Sequence, residues 1–154
     1  EYEYPNIIYA KDGEIYTING RRFLTIGGAY SVDKWYRLEM GRGWFPNEQL
    51  SKDERAQILE KISGQEVDFI LTHTCPLQFQ PTDLFLQGID ESTIDKEMEI
   101  WLTEVEEKVT YGNFLFGHYH DDREIRPGVQ MLYNSIIELP KESEGTIDET
   151  ISIN

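Results

Sequence analysis

Short apolar runs separated by turn residues open the chain and predict an antiparallel meander. Ile7-Ile8-Tyr9-Ala10 reads as a first strand, Lys11-Asp12-Gly13 as a turn, and Glu14 to Ile18 as a second strand. Asn19-Gly20 supplies two residues that tolerate positive φ, the signature of a two-residue hairpin, and Arg21 to Ile26 returns as the third strand. Ser51-Lys52-Asp53-Glu54 is a capping-box pattern that predicts a helix to about Ser63, with Ile58 and Ile62 on one face and Gly64 closing it. The apolar run from Val67 to Thr72 has the length of a buried strand, and Pro76 and Pro81 predict an extended loop after it. Ile94, Met98, Leu102, Val105 and Val109 recur at helical spacing and predict a second helix from Ser92 or Thr93 to Val109. Glu97, Glu99, Glu104, Glu106 and Glu107 between them read as solvated acid. Asn113 to Phe116 forms another apolar run, so strand, helix and strand make a βαβ-like crossover. Arg123 to Arg126, the turn Pro127-Gly128 and Val129 to Asn134 predict a last hairpin, and residues 141–154 an acidic tail or an edge strand.

The segment from Gly27 to Pro46 carries no regular pattern but holds Tyr30, Trp35, Tyr36, Arg37, Arg42, Trp44 and Phe45. Trp35 and Arg37 are candidates for a substrate-side wall, with Arg37 or Arg42 meeting a phosphate. The plainer alternative is loop-packing aromatics and solvated arginines, because nothing in the pattern fixes their direction.

Length and composition place these elements in one globular domain over residues 1–140: 154 residues with 39% hydrophobic and 12% aromatic content are enough for a sizeable core. No stretch approaches the apolar length of a membrane span, and a single cysteine, Cys75, excludes an intramolecular disulfide; both are compatible with a cytoplasmic protein. The net charge of −15 argues against sequence-independent nucleic-acid binding. The same charge would repel a phosphate ester unless cations stood between them.

All three histidines follow apolar runs: His73 ends the run to Thr72, and His118 and His120 follow Phe114-Leu115-Phe116-Gly117. In open α/β sheets ligands bind outside the carboxyl ends of the strands, which is where these imidazoles fall. Neutral imidazole is a ligand for manganese, iron and zinc, and on an extended segment residues i and i+2 project to one side, so His118 and His120 are expected to face one cavity. Cys75 lacks an adjacent base to lower its pKa and is not expected to act as a nucleophile.

Gly117-His118-Tyr119-His120 matches the G-H-x-H motif that closes the calcineurin-like metallophosphoesterases, and Ile70-Leu71-Thr72-His73-Thr74-Cys75-Pro76 matches the strand-His motif preceding it. The chain resembles that family over roughly residues 6–139. The resemblance implies half of a mixed-sheet αββα sandwich and a site with two divalent metal ions, Mn, Fe or Zn. In that site His73 and His118 would hold one ion and His120 the other. Tyr119, between the two motif histidines, joins Trp35 and Arg37 as a candidate substrate-lining residue. The family's earlier motifs, D-x-H, G-D-x-x-D and G-N-H-D/E, are not in the sequence, so the chain looks like the C-terminal half of such a domain. It is then expected to need an N-terminal half as partner and to be inactive on a phosphate-ester substrate by itself. The alternatives are a non-catalytic protein-interaction module on the same scaffold and a fragment active only with a separate N-terminal half, and association with a second copy of the chain stays open among the partners.

Overall fold

The computed structural model describes residues 7–139 except 86, 87, 89 and 90. The acidic stretch 141–154 lies outside the described residues. Among the described residues six strands form one mixed sheet in the order β1-β2-β3-β4-β6-β5, with three α-helices. No described helix is long and apolar enough to cross a membrane.

The expected hairpin is present. β1 (Glu14–Ile18) pairs antiparallel with β2 (Arg21–Ile26), and Asn19 and Gly20 between them have φ of 49° and 73°, as a primed turn requires. The first meander strand is not: residues 7–10 are outside the sheet, and Ile7 and Tyr9 are 67% and 77% exposed. The cause lies at the turn. Gly13 N donates to Thr25 O and Thr25 Oγ1 to Lys11 O, so the chain enters β1 from across the end of β2.

The segment expected to be irregular contains a short helix, α1 (Lys34–Glu39), with Arg37 bonded to Asp33 one turn earlier. α2 (Lys52–Ile62) has its capping box: Glu54 N donates to Ser51 Oγ at 3.3 Å and Ser51 N to Glu54 Oε2 at 2.8 Å. Gly64, with φ of 76°, turns the chain away after it. β3 (Glu66–Thr72) lies parallel to β2, and β4 (Thr110–Phe116) lies parallel to β3.

The loop after β3 is not extended; it coils into 3₁₀ turns at Leu77–Phe79 and Thr82–Leu84. The crossover helix α3 (Glu97–Lys108) starts several residues later than expected. Asp95 Oδ1 accepts from Glu97 N at 2.8 Å, a local Asx-type bond that stops the helix from extending backwards and leaves Ile94 outside it. The stripe Met98, Leu102, Val105 and Val109 is buried as expected, but Trp101 and Glu99 are buried with it. Reading Glu99 as solvated acid is therefore wrong.

β5 (Arg123–Arg126) and β6 (Val129–Met131) complete the sheet, with β6 parallel to β4. β6 ends before Asn134 because Asp122 takes the backbone N–H groups of Tyr133, Asn134 and Ser135 at 2.7–3.0 Å, away from the ladder.

Side chains alternate across the central strands, as the two-residue period demands. Leu24, Ile26, Ile70, Phe114 and Phe116 pack with Ile62 of α2 and Met98, Leu102 and Val105 of α3 in the main core. Phe23, Phe69 and Leu115, with Leu71 and Leu132 against them, form a second cluster that contains no helix residue. A hollow of about 370 Å³ beside that cluster is lined by Phe23, Leu71, Leu115, Leu132, Ile137 and Leu139.

Candidate functional site

The parallel strands β2, β3, β4 and β6 all end at one edge of the sheet, and the loops leaving them assemble the site. His73 stands one residue beyond β3. Its N–H donates to Ile26 O of β2 at 3.2 Å, and its C=O accepts from Gly117 N beyond β4 at 3.0 Å. The main chain at His73 thus ties both neighbouring strand ends together and fixes where the imidazole begins.

His118 and His120 are not on an extended segment. Both adopt left-handed backbone conformations, with φ of 72° and 56°, so the expectation that an i, i+2 pair projects to one side of a strand does not apply. Such conformations are uncommon outside glycine and cost of order 1–3 kcal/mol where they are held in place. His118 Nδ1 comes within 3.2 Å of His73 Nε2 with the rings edge-on, whereas His120 stacks on Tyr133 with ring centroids 4.8 Å apart.

The environment keeps the close pair neutral. Burial pulls the His118 pKa down to about 4, helped by the nearby charges of His73 and His120 and opposed by Glu48. His73 is lowered in the same direction, by desolvation first and then by the charge of His120. One ring donates and the other accepts in the free pair, and both facing nitrogens could bind one metal once the donating ring carries its proton on its other nitrogen. Two imidazole nitrogens bound to one tetrahedral ion by bonds of 2.0–2.1 Å lie roughly 3.3 Å apart, so the pair fits a shared ion.

A complete ligand set is not present: among the described residues no group of three or more His, Cys, Asp or Glu side chains converges to hold a metal ion. Glu48, the carboxylate whose charge acts on His118, is occupied by Ser31, accepting from its N at 3.2 Å and from its Oγ at 2.7 Å.

Tyr119 turns inward between the two histidines. Its hydroxyl contacts Thr74 Oγ1 at 3.1 Å, and Thr74 Oγ1 donates to Glu99 Oε1 at 2.9 Å; Gln80 Nε2 donates to the same Tyr119 oxygen at 3.3 Å. The chain of bonds links the loops after β3 and β4 to the first turn of α3. Desolvation raises the pKa of Tyr119, and burial pushes the Cys75 thiol up to about 12, so neither supplies an anion at neutral pH. A recess of about 80 Å³ opens here, and His118, Tyr119, Glu99, Phe85 and Tyr30 are among its walls.

Trp35 and Arg37 lie on α1 outside that recess; Trp35 is 69% exposed. The structure therefore brings together His73, His118 and Tyr119 and sets Trp35 and Arg37 apart. Sequence reasoning missed Glu99 and Glu48, and it named Tyr30 as one aromatic of the Gly27–Pro46 segment without singling it out. For Glu99 there was a signal: it sits three residues before Leu102, on the flank of the buried stripe, where a solvated acid has no clear path to water.

The chain matches no protein-family model, and neither a curated protein nor a solved structure matches it at a significant level. Fold and site together define a mixed α/β protein with a paired-imidazole site at the carboxyl edge of its parallel strands.

Proposed function

We propose that the chain carries the histidine part of a metal-dependent phosphoesterase site. The observation that carries this reading is the contact of two neutral imidazoles at 3.2 Å from the ends of adjacent parallel strands. His73 Nε2 and His118 Nδ1 would hold one divalent ion, Mn, Fe or Zn, and His120 would turn from Tyr133 to a second. When bound, such ions supply the activation of water and the offset of phosphate charge. The protein's own groups do the rest: the backbone bonds at His73 fix one ligand, the left-handed turn aims the other, and Tyr119 holds that turn against Thr74.

The missing carboxylates would come from an N-terminal half of the same domain, seated on the sheet face that no described helix covers. Phe23, Phe69, Leu71, Leu115 and Leu132 make that face apolar, and a largely parallel sheet is normally covered on both faces. This supports a two-layer sandwich of the calcineurin-like type, in which the present sheet is one layer. The same face is what a non-catalytic interaction module would use, and metal affinity separates the two readings.

Titrating the chain with zinc while recording the imidazole NMR signals tests the site. His73 and His118 signals should shift together, and His118→Ala should weaken zinc binding at least about tenfold, as loss of one ligand or its support does in metal sites. In the protein reunited with its N-terminal half, the same substitution should abolish metal-dependent hydrolysis of an aryl phosphate. Unchanged zinc affinity in the variant sinks the metal reading.

A further inference from the structure

Three contacts join the loop after β3 to the loop after β4, one after another along the chain. Gly117 N donates to His73 O at 3.0 Å, the imidazoles of His73 and His118 meet at 3.2 Å, and the hydroxyls of Thr74 and Tyr119 meet at 3.1 Å. The third reaches beyond both loops, because Thr74 Oγ1 also donates to Glu99 Oε1 on α3 at 2.9 Å. A hydroxyl has one proton to give. That of Thr74 goes to Glu99, so Tyr119 is the donor where the two hydroxyls meet. The Tyr119 oxygen in turn accepts from Gln80 Nε2 at 3.3 Å and from the Cys75 thiol at 3.7 Å. The chain of hydrogen bonds therefore runs one way, from Gln80 through Tyr119 and Thr74, and ends on Glu99.

Glu99 stands at that end at a cost to the fold. Thr74 is fully buried, Glu99 is 5% exposed, and Glu99 Oε2 has no hydrogen-bond partner among the described residues. A buried carboxyl oxygen left unpaired lowers stability, and an acid adds nothing to the packing of an apolar helix stripe. What it does supply is an acceptor for the Thr74 proton. We infer that Glu99 is a positioning residue for the imidazole pair: by taking the Thr74 proton it fixes Thr74 as the acceptor for Tyr119, and so holds His73 and His118 at the spacing of one shared ion. Without Glu99 the Thr74 hydroxyl carries a buried proton with no acceptor, and turning to find one withdraws the lone pair that Tyr119 uses. The Tyr119 ring stands edge-on to His118 with centroids 5.0 Å apart, so its release frees that imidazole to move from His73. The consequence for metal binding rests on the phosphoesterase reading; the spacing itself does not.

The test compares Glu99→Leu, Glu99→Gln and Thr74→Val with Val105→Ala, a buried α3 position outside the hydrogen-bond chain. Two readouts are taken on the full chain: the NOE between the His73 and His118 ring protons without metal, and zinc affinity by titration. Glu99→Leu should weaken the NOE and lower zinc affinity about tenfold, as loss of a group that supports a metal ligand does. Glu99→Gln, whose amide oxygen can still accept from Thr74, should keep both. Val105→Ala should lower the urea midpoint and leave both unchanged. The double variant Glu99→Leu/Thr74→Val should bind zinc no more weakly than Thr74→Val alone, because the two residues act through one chain of bonds. An unchanged NOE in Glu99→Leu, equal losses in Val105→Ala, or additive losses in the double variant overturn the inference. Where Glu99→Leu does not fold, Glu99→Met, unbranched and without an oxygen, takes its place in every comparison. A wild-type chain that takes up no zinc removes the phosphoesterase reading, and the NOE then decides on Glu99 by itself.

Discussion

Glu99 sits where its ordinary charge is opposed by its surroundings. Desolvation raises its pKa above 4.5, and the bond from Thr74 only partly offsets that. A group bound to its proton more tightly in the folded state contributes stability that is fully present below the unfolded pKa and is lost as pH rises through the folded one. Glu99→Gln keeps an acceptor for Thr74 and removes the charge. It should match the wild type near pH 4.5 and gain on it toward alkaline pH, by at most about 1.4 kcal/mol per pH unit. Urea midpoints at acid and alkaline pH check this, and an equal gap at both ends contradicts it. Glycines make a second residue-scale contrast. Gly28 has φ of 89°, and a Cβ there would stand 2.8 Å from Glu48 O, whereas one at Gly117 would stand 3.5 Å from Leu132 O. Gly28→Ala should destabilise by more than about 1 kcal/mol and disturb the loop that bears Tyr30, while Gly117→Ala should be tolerated. Thermal unfolding of both variants decides.

At the scale of elements, α2 shows local chemistry that needs no tertiary help. The reciprocal bonds of Ser51 and Glu54 satisfy two of the free amides at its start. Ser51→Ala should cost about 1 kcal/mol, measurable as a lower urea midpoint with an unchanged slope. α3 behaves differently. It has no side-chain cap at its start, and Asp95 and the buried stripe set its boundary instead. The loops at the carboxyl edge belong with it: the left-handed turn at His118 and His120 is held by Gly117 N to His73 O, by Tyr119 to Thr74, and by His120 on Tyr133. Tyr119→Phe removes the hydroxyl from that set. It should loosen the turn and broaden the His118 NMR signal with little loss of global stability.

For the molecule as a whole, the sheet has one face under α2 and α3 and another on which, among the described residues, the Phe23, Phe69 and Leu115 cluster lies without a helix residue. Phe23 and Phe69 stack at 4.9 Å, so the cluster is ordered before anything docks on it. A hollow of about 370 Å³ with Leu71 and Leu132 at its walls is the kind of apolar surface that a partner covers. The isolated chain should bind the hydrophobic dye ANS, and Leu132→Lys should reduce that fluorescence while leaving the far-UV CD spectrum unchanged. A chain that binds no dye and elutes as a clean monomer argues against an obligatory second half. The net charge of −15 works the other way, keeping such a chain apart from its copies at low salt.

Where a signal is local, the amino-acid sequence determined the outcome by itself. Asn19-Gly20 made the hairpin, Ser51 and Glu54 started α2, and the apolar runs made β3 and β4, because each depends on backbone propensity and side-chain period over a few residues. The positions of His73 and His118 at strand ends were legible for the same reason. What only the tertiary structure decided depends on partners far along the chain. Ile7-Ile8-Tyr9-Ala10 has the composition of a strand but was left outside the sheet, since the turn at Gly13 leads elsewhere. Glu99 was buried because a loop 25 residues away placed Thr74 over it. His118 meets His73 while His120 stacks on Tyr133, on a backbone that turned left-handed rather than extended. Spacing along a sequence sets which side chains can share a face only if the backbone is regular, and at the edge of a sheet packing decides whether it is.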